Sequence, residues 1–262
     1  MNRKQTIRKL NSDEYVELST GDIRKFNKAE NRSEGYSSLT KTFKKLRYLI
    51  NNNFTGGNNE LFLTLTYAEN MTDSERLYKD VDKFIKRFRY KYRDKGTIDY
   101  INVVEPQQRG AWHCHILLRF NDVDRIYIPW QEIVKIWTFG TIDIKRIDDV
   151  DNVGAYLTAY LADIPLEEYE GIESRDILVK EGKKYVKGGR LHMYPVGMNI
   201  YRKSKGIEMP ERKRMKYKNA KKQIGIAVPT YLKSYDIRDS DDNVINSLSY
   251  EQYNIKRFTN KV

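Results

Sequence analysis

The chain of 262 residues holds a single cysteine, Cys114. One thiol cannot form an intrachain disulfide, and a lone thiol fits a reducing compartment. It also rules out a zinc site built on a cysteine cluster. No run of about 18 apolar residues occurs, so no segment reads as a membrane-spanning helix. Met1–Leu10 carries four basic residues and lacks the apolar core of a secretory signal. There is no G-x-x-x-x-G-K-[ST] loop, which excludes a motor of the Walker type, and no helicase motif. Internal repeats and low-complexity tracts are absent as well.

Charge, by contrast, is abundant and unevenly placed. The chain has 48 Lys+Arg against 36 Asp+Glu, a formal net charge of +12. Lys180–Lys222 alone contains 15 basic and three acidic residues, so the rest of the chain balances at 33 of each. Such a segment suits nucleic acid, because neutralised phosphates release counterions. An anionic membrane surface is the lesser rival. With 39% hydrophobic residues, the remainder has enough apolar side chain to bury a core.

The patterning predicts an α+β protein. Residues 1–37 are a polar arm, irregular or partly helical. A helix starts near Ser38, with Leu39, Phe43, Leu46 and Ile50 on one face, and stops at Asn51-Asn52-Asn53 and Gly56-Gly57. Leu61–Tyr67 reads as a strand. Thr72 or Asp73 caps a helix whose stripe is Leu77, Val81, Phe84, Ile85, Phe88 and Tyr92. Ile98–Glu105 and Trp112–Phe120 are strands joined by a turn at 106–110. A short helix runs from Pro129 to Trp137, a strand from Thr141 to Ile147, and a helix from Asp149 to Asp163. Hairpin-joined strands alternating with helices predict a central antiparallel sheet flanked by helices, of ferredoxin-like type. The domain division expected is 1–37, 38–165 and a basic extension over 166–262, where Gly171, Gly182, Gly188 and Gly189 break the chain into turns or a hairpin.

Two of the chain's three histidines form His113-Cys114-His115. On a strand, residues i and i+2 point to the same face about 6.6 Å apart, so two imidazoles there can share a metal ion. The plain alternative is two histidines with no ligand. The turn at 106–110 folds Glu105 back beside His113, which makes it a candidate third ligand or simply a surface carboxylate. Two imidazoles and a carboxylate leave open positions on a catalytic divalent ion. Further on, Tyr156 and Tyr160 stand four apart on one helix face. They fall on the apolar stripe Val153, Leu157, Leu161, Ile164, so they read equally as core residues or as nucleophiles. His192 has no partner in the sequence and is read as structural.

Three segments in order resemble the motifs of the HUH single-strand endonucleases, and most closely those of rolling-circle replication initiator (Rep) proteins of plasmids, phages and integrative elements. They are Phe62-Leu63-Thr64-Leu65-Thr66-Tyr67, then Arg109-Gly110-Ala111-Trp112-His113-Cys114-His115-Ile116-Leu117-Leu118, then Asn152-Val153-Gly154-Ala155-Tyr156-Leu157-Thr158-Ala159-Tyr160-Leu161. The resemblance implies a metal-dependent endonuclease and strand transferase that nicks and rejoins single-stranded origin DNA through a 5′-phosphotyrosine. Tyr156 and Tyr160 are its nucleophiles, and Glu105, His113 and His115 hold Mg²⁺ or Mn²⁺. Thr64, Thr66 and Arg109 lie on the DNA. The basic segment then holds the origin duplex or hairpin through Lys183, Lys184, Arg212, Lys213 and Arg214, with Tyr185, Tyr194, Tyr201 and Tyr217 available for stacking on bases, or else is a solvated, lysine-rich tail. The resemblance further implies a bacterial cytoplasm, no nucleotide cofactor, no membrane, and a host helicase and polymerase supplied in trans. The lysine that often follows a motif tyrosine by three residues is replaced here by Ala159 and Asp163, leaving Lys145 or Arg146 as substitutes. A relaxase or single-tyrosine transposase shares this chemistry. A non-catalytic nucleic-acid-binding regulator on the same fold is the alternative of another class.

Overall fold

The computed structural model describes residues 6–26, 36–107, 109–147, 153–154, 164–165, 177–180, 183–186, 190, 193–195 and 197–253. Its centre is a five-stranded antiparallel sheet built from β4 (Glu60–Tyr67), β5 (Ile98–Pro106), β6 (Trp112–Phe120), β7 (Gly140–Lys145) and β11 (Tyr201–Lys203), in the spatial order β11-β5-β6-β4-β7. Leaving out β11, the chain runs strand, helix, strand, strand, helix, strand, and its last strand lies beside its first. That is the split β-α-β topology of the ferredoxin-like class, as the alternation of periods predicts. The helices are α1 (Tyr36–Asn53), α2 (Ser74–Lys91), α3 (Trp130–Trp137) and α4 (Tyr217–Ile224).

Local chemistry explains the boundaries. Asp73 caps α2, its carboxylate accepting from the backbone N–H groups of Glu75 and Arg76, a contact worth about 1 kcal/mol. The stripe Leu77, Val81, Phe84, Ile85 and Phe88 is buried. Phe88 meets Phe120 and Phe84 meets Trp137, whose ring also lies against Tyr67. Helices α2 and α3 therefore cover the sheet face that carries Leu63, Leu65, Tyr67, Cys114, Ile116, Leu118 and Phe120.

The opposite face carries alternate residues of the same strands. Its far end is closed by Arg119, which donates to the Asn53 carbonyl at the end of α1 (2.7 Å) and pairs with Asp99 (3.1 Å). Of the expected helix 149–163, Val153 and Gly154 lie among the described residues and are helical. The Gly154 N–H donates to Asn51 of α1 (2.9 Å), and a Cβ at Gly154 would stand 2.7 Å from that amide oxygen and 2.9 Å from the Arg47 carbonyl. Glycine is what lets this segment start against α1.

The N-terminal arm departs from expectation, and the region after the central sheet carries more strand than the expected turns or hairpin. The arm expected to be irregular or helical holds a three-stranded antiparallel sheet of β1 (Ile7–Lys9), β2 (Glu14–Glu17) and β3 (Ile23–Lys25). Its first turn is held by the Asn11 side chain, which accepts from the N–H groups of Asp13 and Glu14. Strands of three or four residues, with β1 and β3 exposed, are too short to show alternation. From 164 on, β8 (Ile164–Pro165), β9 (Ile177–Lys180) and β10 (Lys183–Val186) form a small sheet in which β10 pairs antiparallel with both β8 and β9. Beyond α4, β12 (Tyr231–Arg238) pairs with β13 (Val244–Gln252). The central sheet also draws its edge strand β11 from within the basic extension.

Candidate active site

Strand register puts the sequence-predicted residues on one face. Glu105 is paired with His113, Val103 with His115, Thr66 with His113 and Thr64 with His115. Directly opposed residues in an antiparallel pair point the same way, so Glu105, His113, His115, Thr64 and Thr66 share the face not covered by α2 and α3. The turn that makes this possible closes through Gln107 N–H to the Ala111 carbonyl (2.7 Å) and Gly110 N–H to the Gln107 carbonyl (2.9 Å). Gly110 sits there at φ +85°, a left-handed conformation that disfavours a side chain.

Glu105 is 7% exposed and both of its oxygens are engaged. Oε2 meets His115 Nε2 at 2.6 Å, and Oε1 accepts from Arg190 Nη1. His115 Nδ1 lies 3.2 Å from the Thr64 hydroxyl, and its ring is stacked on Phe62 with centroids 5.6 Å apart. His113 stands edge-on to His115 at 6.4 Å. Its Nε2 is buried without a hydrogen-bond partner. Burial pushes the His113 pKa down to about 4, with the neighbours His115, Arg109 and Arg190 adding to the shift and Glu105 opposing it. His113 is therefore neutral at pH 7 and offers a lone pair. Cys114, between them, faces the core, where burial pushes its thiol up to about 12; it is not a ligand.

Two imidazoles and a carboxylate on one face, one imidazole nitrogen buried and unsatisfied, have the donor chemistry a divalent ion requires. As folded here, the carboxylate faces His115 and a guanidinium, and among the described residues no three His, Cys, Asp or Glu side chains are already set around a common ion position.

The other expected site residues are distributed as follows. Arg109 is exposed beside the turn, donating to Gln107 (3.2 Å). Lys184 and Arg212, Lys213 and Arg214 are exposed; Lys183 is paired with Lys180 across the β9–β10 hairpin. Tyr156 and Tyr160 lie outside the described residues, as do Ala159, Asp163 and His192. Lys145 pairs with Asp143 (2.9 Å) and Arg146 donates to Asn58 (3.0 Å). Among the stacking candidates, Tyr217 is exposed, whereas Tyr194 is buried and its hydroxyl donates to the Val104 carbonyl (3.1 Å). Tyr194 is a core residue, because its ring packs on Trp112. Sequence reasoning missed Arg190 and Phe62. Phe62 carries a signal, two residues before Thr64 on the same strand face; Arg190, 85 residues from Glu105, carries none.

Fold and face together define a ferredoxin-like α+β protein with a histidine–carboxylate cluster on the sheet face opposite α2 and α3. Residues 60–164 match the family model of the ORF2-type Replication-associated proteins. The match spans β4 through the tyrosine-bearing segment, and it agrees with the rolling-circle Rep resemblance carried by the three motifs. It points to a role in replication, with DNA as partner. No curated protein and no solved structure matches the chain. Among the described residues, no helix is long and apolar enough to cross a membrane.

Proposed function

We propose that the chain is a rolling-circle replication initiator that nicks and rejoins single-stranded origin DNA through a 5′-phosphotyrosine. The observation that carries this reading is the shared face of Glu105, His113 and His115, with a neutral, unsatisfied imidazole nitrogen at its centre. Glu105, His113 and His115 would hold Mg²⁺ or Mn²⁺, which when bound polarises the scissile phosphate and offsets the charge that develops on it. Thr64 keeps the His115 ring oriented through Nδ1, and Phe62 supports that ring from below.

The nucleophile is a tyrosine of the segment that begins at Val153–Gly154 against α1. Its hydroxyl oxygen replaces the 3′ oxygen on phosphorus, so one phosphate ester is exchanged for another and rejoining needs no nucleotide. Unwinding and synthesis fall to a helicase and polymerase supplied in trans. Lys183, Lys184, Arg212, Lys213 and Arg214 supply phosphate contacts.

The test is covalent capture. A labelled library of single-stranded oligonucleotides incubated with the protein and Mn²⁺ should give a protein–DNA band that survives SDS. Tyr156→Phe with Tyr160→Phe should abolish that band, and His113→Ala with His115→Ala should abolish it while leaving DNA binding largely intact. A band of full intensity from the double tyrosine variant would overturn the assignment, and salt-sensitive binding without any adduct would favour a regulator.

A further inference from the structure

We propose that Arg190 is the resident counter-ion of Glu105, competing with the divalent cation for that carboxylate, so that the metal loads only by displacing the guanidinium. This rests on the reading that Glu105, His113 and His115 take a divalent ion.

A carboxylate as buried as Glu105 needs a positive partner to be retained in its charged form. Arg190 is that partner: its Nη1 donates to Oε1, and its side chain is 15% exposed. A guanidinium stays charged at every relevant pH, so it cannot vacate the site by losing a proton. It can only be exchanged. A divalent ion on Glu105 would stand beside this fixed positive charge in a poorly solvated pocket, where like charges repel strongly. One of the two cations must leave, and Arg190 belongs to a short segment preceded in sequence by Gly188 and Gly189.

The histidine side of the site is built for the same exchange. His115 Nε2 faces Glu105 Oε2 at 2.6 Å, and Nδ1 lies 3.2 Å from the Thr64 hydroxyl. A cation held at Nε2 would take that nitrogen's lone pair, and the ring proton would then stand on Nδ1, toward Thr64. The Thr64 hydroxyl both donates and accepts, so it serves either tautomer without moving. Glu105 must surrender Arg190, and the contact between Glu105 and His115 must open to admit the ion. The released guanidinium, planar and bidentate, is by its chemistry a phosphate ligand, which places Arg190 where it would position the DNA backbone once the metal is in.

The competition is read without DNA or turnover, from Mn²⁺ affinity by electron paramagnetic resonance of the free ion. Arg190→Gln should bind Mn²⁺ about tenfold more tightly than the wild type or better, and Arg190→Lys, which keeps the charge, should stay within about threefold of it. His113→Ala with His115→Ala identifies the site. Should Arg190→Gln fail to fold, the wild type answers alone: saturating Mn²⁺ should raise the rate at which phenylglyoxal labels Arg190, measured by peptide mass spectrometry, relative to matched NaCl. Histidine-dependent Mn²⁺ binding that Arg190→Gln leaves no tighter, or labelling unchanged by Mn²⁺, overturns the competition and leaves the metal reading standing. Absence of histidine-dependent Mn²⁺ binding from wild type and variants alike overturns both.

Discussion

Lowering the pH should destabilise the metal-free protein through one residue, His113. Burial, then the neighbours His115, Arg109 and Arg190, bring its pKa down to about 4 from the ordinary 6.5, against the pull of Glu105. Between those two values the unfolded chain binds a proton that the folded chain refuses, so stability rises with pH in that window. The contribution is complete above pH 6.5 and is lost as pH falls toward 4. A difference of about 2.5 units corresponds to about 3 kcal/mol at most, and residual solvent contact brings the expected loss between pH 6.5 and 4.5 to about 2 kcal/mol. Carboxylates begin to titrate at the acid end, so the useful quantity is a difference. Urea unfolding of the metal-free wild type and of His113→Gln should be followed at pH 7.5, 6.5, 5.5 and 4.5. The wild type should lose about 2 kcal/mol more than the variant over the lower two units. Because the chain has three histidines, their ring resonances can be followed individually, and that of His113 should not titrate above pH 5. Parallel pH profiles, or a His113 midpoint near 6.5, would refute the argument.

Two further substitutions probe the frame around the site. Asp73→Ala removes the acceptor for two N–H groups at the start of α2 and should cost about 1 kcal/mol in urea unfolding. Gly154→Ala forces a methyl against the Arg47 carbonyl and Asn51; it should cost about 1–3 kcal/mol and slow adduct formation more than it weakens DNA binding.

The central sheet was legible because its signals are local. β4, β5 and β6 show runs of strand formers, Asp73 marks a helix start, and the turn at 106–110 is short enough to place Glu105 opposite His113. The shared face of Glu105, His113, His115, Thr64 and Thr66 follows from a period of two and one hairpin. What escaped were features whose cause is not local. The strands of the N-terminal sheet are too short for a pattern, and β12 is exposed along its whole length, so no burial selects its residues. Tyr194 was grouped with stacking tyrosines because it lies in a basic segment, yet tertiary packing on Trp112 decides its place. Arg190 is one of fifteen basic residues between Lys180 and Lys222, and only the fold distinguishes it from the others.

That last distinction divides the basic segment by environment. Arg190 is turned onto Glu105, Arg202 pairs with Asp82 and lies over the Tyr78 ring, and Lys203 donates to the carbonyls of Ser204 and Ile207. These charges are spent within the protein around β11. Residues 211–222, by contrast, carry seven basic groups and one acidic group, and Arg212, Lys213 and Arg214 are exposed. Phosphate contacts made there release counterions, whereas internal pairs release none. Arg212→Gln with Lys213→Gln and Arg214→Gln should therefore lower the slope of log affinity against log salt by about 2 on single-stranded DNA, at about 0.7 per contact. Arg202→Gln with Lys203→Gln should leave that slope within about 0.5 and act on stability instead. Fluorescence anisotropy from 50 to 300 mM NaCl separates the two sets. Equal slopes for both variants would mean that the excess charge acts as one undivided field, and that its inward and outward halves are not distinct.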